Sequence, residues 1–99
     1  MLFCQFPEKK KHIIISGKVQ GVGFRYWLYQ KANEKKVFGW VKNNINGKVE
    51  AVLIGDERDV DYIVKLCMKG PSFSKVTNIK IQDFQQKYLK KSFNILSTN

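Results

Sequence analysis

Of the 18 basic residues only two are arginines, Arg25 and Arg58. Arg25 follows a stretch with three glycines in seven positions, Gly17-Lys18-Val19-Gln20-Gly21-Val22-Gly23. An apolar, β-branched run, Ile13-Ile14-Ile15, precedes this stretch, and a helix-like pattern begins after it at Phe24. Glycines in such a loop let the backbone turn with positive φ and bring several N–H groups to one point. A helix start adds unpaired N–H groups and the positive end of its dipole. With Arg25 in that first turn, backbone amides and a guanidinium at a helix start make a place that suits a phosphate-like dianion. Two better-known phosphate motifs do not fit. Gly23 is followed by Phe24-Arg25 and not by the Lys-Ser/Thr of a Walker A loop, and position 26 is Tyr where the dinucleotide fingerprint needs a third glycine. By itself the loop fits a structural turn and an anion cradle equally well.

Hydrophobic periodicity indicates the elements that carry these residues. Residues 1–11 read as a loose N-terminal arm. Residues 12–16 read as a central strand, buried on both faces or nearly so. A helix follows over 24–36, with Phe24, Trp27, Leu28 and Ala32 on one stripe. Residues 38–43 have strand character, Asn44-Ile45-Asn46-Gly47 is a tight turn, and 48–54 returns with Val49, Ala51 and Leu53 on one face. Asp56 caps a second helix whose start is enriched in acids, with Val60, Ile63, Val64 and Cys67 on its apolar stripe; Gly70-Pro71 stops it. A strand over 75–84 places Thr77, Ile79 and Ile81 on one face, with Val76 breaking the alternation. A polar connection, 85–91, leads to a short last strand, 92–96, with Phe93 and Ile95 inward. Residues 12–96 form the single domain, and 97–99 are a tail. The order β-α-β-β-α-β plus a short strand predicts an α+β, ferredoxin-like split βαβ sandwich, with two helices on one face of a mostly antiparallel sheet.

That topology gives the glycine loop a partner. The first and second strands run parallel with the third between them, so residue 16 and residue 43 end at the same edge of the sheet. Two strand spacings of about 4.8 Å separate them by roughly 10 Å. The glycine loop, Arg25 and Asn43 therefore meet around a gap able to hold one phosphoryl group and one water. His12, the single histidine, falls at the start of its strand, at the opposite edge. This leaves no Ser-His or Cys-His pair at the loop. No His, Cys and carboxylate cluster has metal-ligand spacing, so no metal or cofactor is expected. The carboxylates of 56–61 crowd one helix start and read as capping and solvation.

The totals bound the partners. Ninety-nine residues suit one domain. The formal charge of +10 favours anionic partners, whether nucleic acid, an acidic membrane surface or a phosphorylated small molecule. A nucleic-acid reader more often uses arginine forks, and 16 of these 18 cations are lysines, which read mainly as a solvated surface. No apolar run approaches the roughly 20 residues of a membrane span. The N-terminus has its apolar residues before its lysines, the reverse of a signal peptide, so a cytoplasmic location is expected. Cys4 and Cys67 are too few and too far apart for a metal site; Cys67 reads as a buried free thiol, and a Cys4–Cys67 disulfide is disfavoured in a reducing compartment.

With both motifs in view, the chain resembles the acylphosphatase family. Gly17-Lys18-Val19-Gln20-Gly21-Val22-Gly23-Phe24-Arg25 is similar to that family's G-x-V-Q-G-V-x-F-R stretch at every fixed position. Gly39-Trp40-Val41-Lys42-Asn43 resembles its second signature, an aromatic after Gly, then Val, a basic residue and Asn. The similarity covers roughly 12–96. The chain departs from the pattern at Asn44, where a small hydroxyl residue is frequent, and at Ala51, where Gly is frequent. The resemblance implies metal-independent hydrolysis of a carboxyl–phosphate anhydride, with a small-molecule acyl phosphate as substrate and inorganic phosphate as product. It further implies that Arg25 grips the phosphoryl oxygens, that Asn43 holds the attacking water, and that the amides of 19–23 cradle the phosphate. A monomer is expected. Two alternatives stand beside this one. A non-catalytic module on the same fold binds phosphate without hydrolysis, and the presence of both Arg25 and Asn43 argues against it. An RNA-binding ferredoxin-like domain needs aromatics on the sheet face in a string that no strand here carries.

Overall fold

The computed structural model describes residues 7–88 and 90–98. The elements follow in the order β1 (Glu8–Lys18), α1 (Phe24–Glu34), β2 (Phe38–Asn43), β3 (Val49–Asp56), α2 (Glu57–Cys67), β4 (Lys75–Asp83) and β5 (Phe93–Ile95). They build one five-stranded sheet in the order β4-β1-β3-β2-β5. Every neighbouring pair is antiparallel except β2–β5. This is the expected split βαβ arrangement, with β3 inserted between β1 and β2.

Alternation along the strands sends one set of side chains into a common core with the helices. Ile13 and Ile15 of β1, Val41 of β2, and Val49, Ala51 and Leu53 of β3 meet Phe24, Leu28 and Ala32 of α1 and Val60, Ile63, Val64 and Cys67 of α2. The middle strand is β3. It alone is buried on both faces, since Val52 and Ile54, of the opposite parity, are also buried. In β1 the buried Ile13 and Ile15 alternate with half-buried His12 and Ile14.

Three features depart most from the sequence pattern. First, β1 begins at Glu8, so residues 8–11 are not a loose arm. Lys9, Lys10 and Lys11 pair with Gly55, Ile54 and Leu53 of β3, and Lys11 also pairs with Asp83 of β4. Two of their charges have partners: Lys9 reaches Asp61 at 2.8 Å and Glu57 at 3.5 Å, and Lys11 reaches Asp83. The Pro7 carbonyl accepts from the Glu57 N–H. A lysine run reads as solvated from sequence alone; here distant carboxylates and two neighbouring strands hold it. Residues 1–6, including Cys4, lie outside the described residues. Second, α1 stops at Glu34 instead of residue 36. Lys36 takes a left-handed conformation (φ 56°). The Val37 N–H donates to the Ala32 carbonyl and the Lys36 N–H to the Asn33 carbonyl. This pair of bonds is a Schellman cap, formed here around lysine instead of the usual glycine.

Third, β4 carries a change of parity. Val76 and Ile79 pack against the core, whereas Thr77 and Ile81 are exposed. The pairing explains it: Ser16 opposes Asn78 and Gly17 opposes Val76, so Thr77 is the extra residue of a bulge. Gly17 makes the close approach possible. A Cβ on it would stand 2.1 Å from the Lys75 carbonyl oxygen, and its φ is +120°. The bulge lies two residues before the end of β1, next to the glycine loop, and β4 is the strand that carries the extra residue.

The connection after β4 returns the chain from one edge of the sheet to the other. The Phe84 N–H bonds the Lys10 carbonyl, the Tyr88 hydroxyl donates to the Gly39 carbonyl, and the Gly39 N–H donates to Ser92. Its length and polarity serve this crossing. The final strand then runs parallel to β2, with Val41 opposite Ile95. Phe93 is buried as expected, but Ile95 is 40% exposed.

Candidate active site

The ends of β1 and β2 and the start of α1 share one edge of the sheet. Between them lies a cleft of about 260 Å³ lined by Val19, Gly21, Gly23, Phe24, Arg25, Tyr26, Asn43 and Ile95. Five residues expected at the site, Val19, Gly21, Gly23, Arg25 and Asn43, are therefore brought together. The other two, Gln20 and Val22, are not part of the lining. Val22 packs against the core. The Gln20 side chain turns to the β2–β3 hairpin.

The start of α1 is built for an anion. Gly23 is its N-cap, with φ 79° and ψ 18°, a left-handed conformation that costs glycine little. No side chain caps this helix among the described residues, and its first turn holds no acid. The N–H groups of the first turn lack intrahelical partners by geometry. The other helix shows the opposite design. The Asp56 carboxylate accepts from the Arg58 N–H at 2.9 Å, and Glu57 and Asp59 stand in the first turn. One helix start is thus neutralised within the chain, and the other is left positive at the cleft.

Arg25 adds a full charge to that end. It is half-buried, and among the described residues its guanidinium has no hydrogen-bond or ion-pair partner. Among the described residues no acidic one lines the cleft. Asn43, also half-buried, is the last residue of β2, and its carboxamide likewise has no side-chain partner among the described residues. A cation with fixed donors on one side and a free carboxamide on the other can hold a tetrahedral oxyanion and orient a small neutral molecule beside it.

Gln20 ties the two sides together, a role that its place in the glycine motif does not reveal. Its Nε2 donates to the Asn44 carbonyl at 2.7 Å and to the Lys48 carbonyl at 2.9 Å. Those two residues also bond each other across the turn, Asn44 N–H to Lys48 carbonyl at 2.8 Å. The glycine loop is thereby anchored to the residue after Asn43. The hairpin is anchored in turn to the sheet face away from the helices. Asn44 Nδ2 donates to Glu50 Oε1 at 3.1 Å, and the other Glu50 oxygen bonds His12 Nε2. Burial pushes the Glu50 carboxyl up, but the His12 and Asn44 hydrogen bonds, with the charge interactions of His12 and Lys42, outweigh it and lower its pKa from the ordinary value. His12 is not at a strand end, because β1 starts four residues earlier than the pattern indicates. It sits within the strand with its ring edge-on to Trp40 and does not line the cleft. At the far end of α2, Cys67 is a free, buried thiol whose pKa burial pushes up to about 12.

Phe24, Tyr26 and Ile95 line the cleft without having been singled out from sequence. Phe24 and Tyr26 flank Arg25, which is a signal that adjacency alone could have supplied. Ile95 reaches the site only because β5 adds to the outer edge of β2, and no local pattern encodes that.

The comparisons agree with this geometry. A sequence profile of the family described as acylphosphatase matches residues 11–95. An acylphosphatase of Chlorobaculum tepidum is 40% identical over 90 residues, covering 91% of this chain and 98% of its own. The crystal structure of the Bacillus subtilis acylphosphatase superposes with a TM-score of 0.84 at 38% identity, covering 88% of this chain and 97% of that one. An acylphosphatase structure from Coxiella burnetii gives 0.83 at 33% identity, with 90% and 93% covered. With the two motifs on one cleft and the match running nearly end to end, the chain belongs to the acylphosphatase family.

Proposed function

We propose that this protein hydrolyses the carboxyl–phosphate anhydride of acyl phosphates to a carboxylate and inorganic phosphate, without a metal. The observation that carries the reading is the uncapped, acid-free start of α1 sharing one cleft with Asn43 and with Arg25, which has no ion-pair partner among the described residues. Arg25 offers a fork of two N–H donors to two phosphoryl oxygens. The amides of 19–23 and the helix start supply donors that need no reorganisation. The Asn43 carbonyl oxygen accepts a hydrogen bond from water and holds it in line with the bond to be broken.

The chemistry tolerates so sparse a site. The leaving group is a carboxylate, a weak base that needs no protonation. Phosphoryl transfer passes through a loose transition state with charge on the non-bridging oxygens, so positioning and electrostatics supply most of the catalysis. Water oxygen bonds to phosphorus, the P–O bond to the acyl group breaks with its electron pair on the carboxylate, and the water proton passes to the phosphate. Asn43 cannot act as a base, and the substrate phosphate takes that role. The lysine excess steers the anionic substrate, an effect that salt weakens. We read the enzyme as a monomer of the cytoplasm, which the free thiol of Cys67 fits; no helix of the described residues is long and apolar enough to cross a membrane.

The test is phosphate release from acetyl or benzoyl phosphate in the presence of a chelator. Turnover that survives chelation, is abolished in Arg25→Ala and loses kcat in Asn43→Ala with phosphate inhibition retained supports the reading. Full activity in Asn43→Ala removes the water-holding role, and phosphate binding without hydrolysis by the native chain selects a binding module instead.

A further inference from the structure

The cleft has an apolar wall that a phosphate and a water do not use. Tyr26 follows Arg25 in the first turn of α1 and is 60% exposed, and Ile95 at the end of β5 is 40% exposed. Both line the cleft. They come from elements distant in sequence, and the β2–β5 pairing joins them at the site: Ile95 stands opposite Val41, two residues before Asn43. The Tyr26 ring is not loose. It stacks on Tyr29, with centroids 6.0 Å apart and an interplanar angle of 22°, and Tyr29 itself packs against the core. An exposed aromatic held in place and an exposed aliphatic, lining one cleft, present apolar surface already organised for a ligand. At about 260 Å³ the cleft lies just under ordinary small-molecule pockets, which run roughly 300–1,000 Å³. A ring-sized group fits there beside a phosphoryl group.

We propose that Tyr26 and Ile95 form an acyl-binding wall that makes this chain select acyl phosphates with a flat, apolar acyl group over short ones. The inference rests on the hydrolase reading above. Arg25 and the loop amides take the phosphoryl oxygens and Asn43 takes the water, so only the acyl end of the substrate remains to meet these two side chains. The wall touches a part of the substrate that does not react. Its contacts are equal in the ground state and the transition state, and they lower KM without raising kcat.

The experiment compares benzoyl phosphate with acetyl phosphate in the native chain, Tyr26→Ala, Tyr26→Phe and Ile95→Ser. The readout is the ratio of the two kcat/KM values in each variant relative to that ratio in the native chain, a comparison in which the different intrinsic reactivities of the substrates cancel. In Tyr26→Ala the benzoyl-to-acetyl ratio is expected to fall roughly threefold to tenfold, as for loss of one aromatic contact, and the fall is expected in KM. Ile95→Ser moves the ratio the same way, and Tyr26→Phe, which keeps the ring, retains it. An unchanged ratio in Tyr26→Ala and Ile95→Ser, with both substrates still hydrolysed, overturns the acyl wall and leaves the hydrolase intact. A Tyr26→Phe ratio as low as that of Tyr26→Ala assigns recognition to the hydroxyl and overturns the apolar reading. Hydrolysis of neither substrate by the native chain overturns the hydrolase itself.

Discussion

Gln20 provides the sharpest test of how the two halves of the site are held together. Gln20→Met keeps the length and bulk of the side chain and removes its donor. Two N–H···O bonds are lost, at 2.7 Å to Asn44 and 2.9 Å to Lys48. Neither carbonyl is orphaned by the change. The Lys48 oxygen keeps the Asn44 N–H, and the Asn44 oxygen keeps the Gly47 N–H at 3.1 Å. The cost is therefore that of two net hydrogen bonds without a desolvation penalty, about 1–2 kcal/mol. For a domain of this size that lowers Tm by roughly 5–15 °C. The effect on turnover has a different origin. In the proposed mechanism phosphate sits on the loop and α1, whereas water sits on Asn43, one residue before the clamped hairpin. Freeing the hairpin from the loop loosens the distance between nucleophile and phosphorus, and a displacement of about 1 Å in such geometry costs on the order of 100-fold. We expect kcat with acetyl phosphate to fall by roughly tenfold to 100-fold, while the inhibition constant of inorganic phosphate changes little. Gln20→Glu, which sets an acceptor against two carbonyl oxygens, is expected to be worse than Met. Loss of Tm with kcat untouched would show that the clamp serves stability alone and would refute the argument.

Other perturbations probe the mechanism and the fold. Hydrolysis in ¹⁸O-labelled water should place the label in phosphate if, as proposed, water attacks phosphorus; label in the carboxylate would mean attack at the acyl carbon. Lys36→Gly should stabilise the fold by about 0.5–1 kcal/mol in chemical denaturation, since Lys36 holds a left-handed conformation at φ 56° that glycine adopts without the Cβ penalty; an equal or lower midpoint contradicts this. Glu50→Gln should destabilise the protein at neutral pH by about 1–2 kcal/mol, the worth of hydrogen bonds to a charged group. The sign follows from the lowered Glu50 pKa. The carboxylate contributes fully above its ordinary value of 4.5 and loses that contribution as pH falls through its lower native value. The difference between wild type and Glu50→Gln should therefore narrow in acid, and a constant gap from neutral pH to below that range would exclude the linkage.

Much of the architecture was legible because each element carries its own physics. The stripe Val60, Ile63, Val64 and Cys67 with Asp56 before it defines α2 without reference to the rest of the chain, and the structure buries all four. The pair Asn46-Gly47 marks the hairpin, and the alternation of Val49, Ala51 and Leu53 marks the face of β3 that meets the helices. Failures fell where a distant partner decides. Lys9, Lys10 and Lys11 form strand because β3, β4, Glu57, Asp61 and Asp83 surround them. Val76 turns inward, and Thr77 outward, because β4 bulges past Gly17. Lys36 closes α1 where a glycine is usual, so the stop had no composition signal.

The site divides in the same way. Sequence alone determined the parts that act through the backbone and through local order: a glycine loop, a helix start directly after it, a guanidinium in the first turn, and an asparagine at the end of the following strand. Those features follow from covalent neighbourhood, and the split βαβ topology was enough to bring loop, Arg25 and Asn43 to one edge. Only the tertiary structure decided what surrounds them. It left the start of α1 uncapped while Asp56 closes that of α2, kept the described acidic side chains off the cleft lining, turned Gln20 to the hairpin and brought Ile95 to the same cleft as Tyr26. The physical reason is range. Propensity, capping and turn chemistry act within a few residues, whereas the clamp from Gln20 to Lys48 and the seating of Ile95 beside Val41 join residues that only the closed sheet makes neighbours.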